Sequence, residues 1–121
     1  MTFAEAIARG WRERWSRRKD GDQAVARLSR VAALIGPETP IASIDRTTVE
    51  RVRGWLFSGG RKAATVNRYL AALKTLLRMA QDWGELPEPP KVRLEIERPE
   101  RRRALTDNEL ARILAAVEST E

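Results

Sequence analysis

The chain has 121 residues, 42% hydrophobic and 33% charged, with 23 Lys/Arg against 17 Asp/Glu for a net charge of +6. These figures predict one soluble domain, or one domain with a small appendage, and the basic excess favours a polyanionic partner. The chain contains no cysteine and no histidine, which excludes disulfides and thiolate metal sites and removes the commonest metal ligand and neutral-pH proton shuttle; no cofactor is expected.

The opening MTFAEAIARGWRERW carries charges throughout and no apolar run of signal-peptide length. No later segment approaches the roughly 20 apolar residues of a membrane span, so a cytoplasmic protein is expected. Phe3, Ile7, Trp11 and Trp15 fall at helical spacing, predicting a first helix from about Phe3 to Arg18 behind a Thr2 N-cap, with Gly10 as its weak point. Lys19-Asp20-Gly21-Asp22 reads as a turn, and Asp22 is placed to cap a second helix with Val25, Leu28, Val31 or Ala32, and Ile35 inward. Gly36-Pro37 ends it. In the connector PETPIASID, Ile41 and Ile44 are expected to plug the core, and Asp45 or Ser43 to cap a third helix. That helix carries Val49, Val52 and Leu56 inward, with Trp55 as a further inward candidate, and Ser58-Gly59-Gly60 closes it. All four tryptophans, Trp11, Trp15, Trp55 and Trp83, fit apolar periods and are expected in the core.

ATVNRYLAALKTLLRMAQDWG is the most informative stretch. It predicts a long fourth helix from about Arg61 to Trp83, with Gly84 as a left-handed C-terminal residue. Val66, Tyr69, Leu70, Leu73, Leu76, Leu77, Ala80 and Trp83 form one apolar stripe. Lys62, Thr65, Arg68, Ala72 and Thr75 follow the same period on roughly the opposite side, with Arg61, Ala64 and Ala71 beside them. Small residues there let the backbone approach a large partner, and Arg, Lys and Thr donate hydrogen bonds to phosphates or base edges. Asn67, at the edge of the apolar stripe, is a candidate either for a structural hydrogen bond or for reading a base.

ELPEPPKVRLEIERPERRR, with four prolines and no helical period, reads as an extended linker or strap. Thr106-Asp107-Asn108-Glu109 has capping-box spacing before Leu110, Ile113, Leu114 and Val117, a short acidic helix that looks like the start of a second domain. Positive charge gathers on the first two helices, the fourth helix and the strap. Arg98 with Arg101, Arg102 and Arg103 concentrates it where a flexible arginine cluster can follow phosphates.

The order of these pieces carries a resemblance. The segments "ALIG", "TPIASIDRTTVERV", "KAATVNRYLAALKTLLRMAQDWG" and "RRRALTDNELARIL", with a proline-rich exit before the last, resemble the N-terminal half of a tyrosine recombinase of the phage-integrase family, over essentially the whole chain. The resemblance implies an all-α core-binding domain, a four- to five-helix orthogonal bundle of SAM-like fold, over residues 1–86. It implies a basic linker over 87–103 and the first helix of a truncated catalytic domain over 104–121. The implied partner is double-stranded DNA at an attachment-site core. The intact protein would work with other protomers in a tetramer, nucleoid-associated in a bacterial or phage setting, and the isolated fragment is expected to be monomeric. In that family the second and fourth helices face the major groove. The matching positions here are Gln23, Arg27 and Arg30 on the second helix, Arg61, Lys62, Thr65, Arg68 and Lys74 on the fourth, and Lys91, Arg93, Arg98 and Arg101 to Arg103 on the strap. The family's catalytic tyrosine, arginines, lysine and histidine cannot be assembled here, since the one tyrosine, Tyr69, lies on the inward stripe; the fragment is expected to bind DNA without cleaving it.

Two other readings fit the residues. A helix-turn-helix regulator is also basic and helical, with Ser58-Gly59-Gly60 as its turn, although a recognition helix of this length is long and the strap is unexplained. A non-catalytic protein-interaction bundle with incidental basicity is the other.

Overall fold

The computed structural model describes residues 1–97. Among the described residues the chain forms α1 (Phe3–Glu13), α2 (Gly21–Ile35), α3 (Arg46–Ser58) and α4 (Ala63–Asp82), with 3-10 turns at Trp15–Arg17 and Ile41–Ser43. The one β-type pairing among them is an isolated antiparallel bridge between Thr2 and Pro40, so the architecture is all-α. The helix expected over 104–121 lies outside the described residues.

α1 begins as its sequence dictates. Thr2 Oγ1 accepts from Glu5 N at 3.1 Å and Glu5 Oε1 accepts from Thr2 N at 2.7 Å, a reciprocal capping box. It ends earlier than its period predicts, at Glu13 and not Arg18, because Arg14 leaves the helical region at φ −134. The cause is Trp15. A Cβ on Gly10 would stand 2.6 Å from the Trp15 ring, and one on Gly21 would stand 1.8 Å from the Trp15 carbonyl oxygen. Gly10 thus makes room for the Trp15 ring and Gly21 for the Trp15 backbone, and between them Trp15 is buried to 4% exposure. Trp11, expected beside it in the core, stays outside at 37%. The same close approach sets the start of α2 at Gly21, so Asp20 is the N-cap residue, without a side-chain cap bond, and Asp22 lies in the first turn and is not the cap.

Ile41 and Ile44 plug the core between α2 and α3 as expected. Asp45 caps α3, its Oδ1 accepting from both N and Oγ1 of Thr48 at 2.9 Å. Val49, Val52 and Leu56 are buried, but Trp55 and Phe57 at the end of the helix are exposed, which corrects the inward placement of Trp55. α4 is the axis of the bundle, packing against α1, α2 and α3. Val66, Tyr69, Leu70, Leu73, Leu76, Leu77 and Ala80 are all buried along it, each of the larger side chains contributing about 1.5–3 kcal/mol. Gly84 follows at φ +80. Trp83, half-buried, donates from Nε1 to Glu13 Oε1 at 2.9 Å, and the Arg9 guanidinium lies 4.4 Å from its ring centroid. These contacts tie the end of α1 to the end of α4.

Along residues 87–97, expected as an extended linker or strap, the chain keeps contact with the helices at particular points. Leu86 and Val92 belong to the same buried cluster as the helices.

The glycines predict opposite responses to one chemical change. Gly21→Ala is expected to lower the melting temperature sharply, because its Cβ meets backbone. Gly54→Ala, in the middle of α3 with nothing within 4 Å of the new methyl, is expected to raise stability by about 1 kcal/mol through helix propensity. Thermal denaturation of the two variants checks this.

Three carboxylates predict an acid limb of stability. Glu5 is held below its ordinary 4.5 by Thr2, Glu13 below 4.5 by Arg9 and Trp83, and Asp45 below 3.8 by Thr48. Because the folded values are depressed, the stabilisation is complete above the unfolded values and is lost as pH falls through the folded ones. Melting temperature is expected to hold from neutrality to about pH 5 and to decline below it, with a shallower decline in Asp45→Ala.

Candidate nucleic-acid interface

The residues singled out on the second and fourth helices do not form one surface; they form three neighbouring groups. The first is a groove of about 280 Å³ between α2 and α4, lined by Asp20, Gln23, Ala24 and Arg27 from the α2 side and by Arg68, Ala71, Ala72 and Thr75 from α4. Four candidates of three chemical kinds thus meet at one depression: an amide, two guanidiniums and a hydroxyl over a floor of alanines. Ala72, expected on the outer face, is buried at 8% because α2 packs over it, and Thr65 is half-buried. Small residues at these positions let α2 and α4 approach each other as much as they let a partner approach α4.

The second group lies on the other side of the same ridge. Ala71 and Thr75 also border a trough of about 360 Å³ with Arg14, Lys74, Arg78, Met79, Asp82 and Leu94. The exposed spine of α4 therefore stands between two depressions. Arg14 and Arg78 were not among the sequence candidates. Arg78 follows Lys74 by one helical turn, a signal the sequence held; Arg14 reaches the trough only through the break after α1, which it did not.

The third group sits where α4 begins. Arg30 Nη1 donates to the Tyr69 hydroxyl at 3.0 Å, and the Arg61 guanidinium lies 5.2 Å from the Trp55 ring centroid and 5.3 Å from that of Tyr69. Lys62 is exposed at the N-cap of α4, where no side chain caps the helix, so the positive end of the helix dipole adds to these cations.

Among the described residues, the ion pairs engage Arg9, Arg53 and the N-terminal amine. Arg27, Arg30, Arg61, Lys62, Arg68 and Lys74 are in none of them.

Asn67 belongs to the structural alternative. It is 6% exposed; its Nδ2 donates to the Glu95 carbonyl and to Glu97 Oε2, both at 2.8 Å, and its Oδ1 accepts from Glu95 N at 2.6 Å. Its amide is spent holding the strap, which corrects its place among the DNA-contacting candidates. Arg53 secures the same strap by donating to a Glu95 carboxylate oxygen and, at 2.7 Å, to the Arg93 carbonyl. Lys91 and Arg93 point outward, exposed. Arg98, Arg101, Arg102 and Arg103 lie outside the described residues.

Among the described residues, no group of three or more His, Cys, Asp or Glu side chains is arranged to hold a metal ion, and no helix is long and apolar enough to cross a membrane. Comparison with protein-family models, curated proteins and solved structures finds no match to the chain.

The clasp on the strap predicts a local effect of Asn67→Ala. Its loss leaves the Glu95 amide and carbonyl without their partner, a cost of about 1–3 kcal/mol. Trypsin is expected to cut after Lys91 and Arg93 faster than in the parent chain, while cleavage within α4 changes far less. Timed proteolysis read by mass spectrometry checks it.

Proposed function

We propose that the chain binds double-stranded DNA through the face formed by α2 and α4, as the core-binding half of a tyrosine recombinase. In an intact enzyme of that kind it would place a catalytic domain on an attachment-site core for integration or excision. By itself it would hold DNA without cutting it. The single observation that carries the reading is the groove in which Gln23 and Arg27 of α2 meet Arg68 and Thr75 of α4. Those are side chains that hydrogen-bond phosphates and base edges.

Three further features support it. The exposed side of α4 carries Arg68, Lys74 and Arg78 around Ala71, and an α-helix about 10–12 Å across matches a major groove about 12 Å wide. The cations on both sides of the spine are in no ion pair among the described residues, so docking against phosphates breaks no such pair. The family resemblance drawn from the order of segments nominated α2 and α4, and these two helices lie side by side. A SAM-like bundle is the fold this reading entails.

Labelled protein titrated with a short mixed-sequence duplex at low salt tests the proposal by nitrogen–proton correlation NMR. Shifts at Gln23 to Arg30 and at Arg61 to Lys74 support it; a folded protein with no shifts at either stretch overturns it in favour of a protein-interaction bundle. Arg27→Ala with Arg68→Ala is expected to leave melting temperature within about 2 °C, since surface changes cost little. The pair should reduce the slope of log affinity against log salt by about 2, one for each phosphate no longer neutralised. A large fall in melting temperature with unchanged binding refutes the assigned face.

A further inference from the structure

We propose that Tyr69, Trp55 and Gly59 hold Arg30 and Arg61 as a preorganised phosphate anchor, separate from the α2–α4 groove. The inference rests on the DNA-binding reading above and assigns positioning roles within it.

The argument starts from Tyr69. Tyr69 is 3% exposed and belongs to the core cluster, and its hydroxyl accepts from Nη1 of Arg30, a residue that is itself exposed. A guanidinium has five N–H donors, so one bond to a phenol oxygen fixes its direction and leaves the rest available. The face of the same ring lies under Arg61, whose guanidinium is also over the Trp55 ring. Trp55 is 37% exposed, and with Tyr69 it gives Arg61 two aromatic contacts that orient a planar cation. Gly59 supplies the remaining room: a Cβ there would stand 2.7 Å from Arg61 Nη1. Its backbone at φ −78 and ψ 4 is open to any residue, so the space beside Arg61, not backbone freedom, is what glycine provides.

Two long cations are thus held by one tyrosine, with neither in an ion pair among the described residues. A long basic side chain on a surface ordinarily loses rotamer freedom when it binds, and that loss weakens binding. Arg30 and Arg61 have lost much of it in advance. Their chemistry fits the oxygens of a phosphodiester, which accept from fork-shaped donors, and no base-edge acceptor is required. The anchor therefore strengthens binding to every duplex alike.

The test is a pair of double-mutant cycles read by duplex binding and melting temperature. Tyr69→Phe keeps the buried ring and the stack with Arg61 and removes only the acceptor for Arg30. Gly59→Ala leaves every charge in place and displaces only the far end of Arg61. Each single variant is expected to weaken binding about 2- to 10-fold, the factor that fixing one long side chain is worth. The loss should be equal on several unrelated duplexes and come with little change in melting temperature. In an Arg30→Ala background Tyr69→Phe should have no further effect, and in an Arg61→Ala background neither should Gly59→Ala. Equal losses in both backgrounds, or no loss in the parent chain, overturn the anchor while leaving DNA binding intact. A parent chain that binds no duplex overturns the DNA-binding reading and the anchor with it.

Discussion

Trp15, with Gly10 at its ring and Gly21 at its backbone, is the contact on which the arrangement depends. A tryptophan ring buries a large area, but only if the chain leaves α1 after Glu13, turns once, and re-enters a helix within the few residues before Gly21. That corner fixes where α2 starts, and so how it lies along α4. The groove between them follows. Gln23 and Arg27 come to face Arg68 and Thr75 because, some distance away, Gly10 makes room for the Trp15 ring and Gly21 for the Trp15 backbone.

The chain also gives several of its carboxylates named partners, some near in sequence and some far. The carboxylates of Glu5 and Asp45 are taken up at helix starts, that of Glu13 by Arg9 and Trp83, and those of Glu50 and Glu95 by Arg53. Each is engaged away from the α2–α4 groove, at whose edge Asp20 is the one acidic residue. The groove cations Arg27 and Arg68 are in none of the ion pairs among the described residues.

Much of this was legible because it is local. The stripe from Val66 to Ala80, the Thr2 and Asp45 caps, the two isoleucine plugs and the left-handed Gly84 each follow from neighbours a few residues away. What the sequence did not reveal depends on residues far apart. Helical spacing placed Trp11 and Trp15 on one face, and the break after Glu13 separated them. Gly10 read as a weakness in α1 and is what makes room for the Trp15 ring. Ala72 read as outer face until α2 covered it, and Asn67 as a possible DNA contact until Glu95, 28 positions later, took its amide. Within the candidate site, periodicity identified the residues but not their division into a groove, a trough and an aromatic-bound pair, which only the crossing of α2, α3 and α4 creates.

The ridge of Ala71 and Thr75 has a consequence for how any docked surface would be wetted. Depressions of about 280 and 360 Å³ flank it, each with room for on the order of ten water molecules at about 30 Å³ apiece. A partner resting on the ridge would roof both, and their walls of guanidinium, amide, hydroxyl and carboxylate would keep that water hydrogen-bonded in place. Contacts from the groove side chains would then run partly through ordered water, which bonds nearly as well as direct contact and can itself carry specificity.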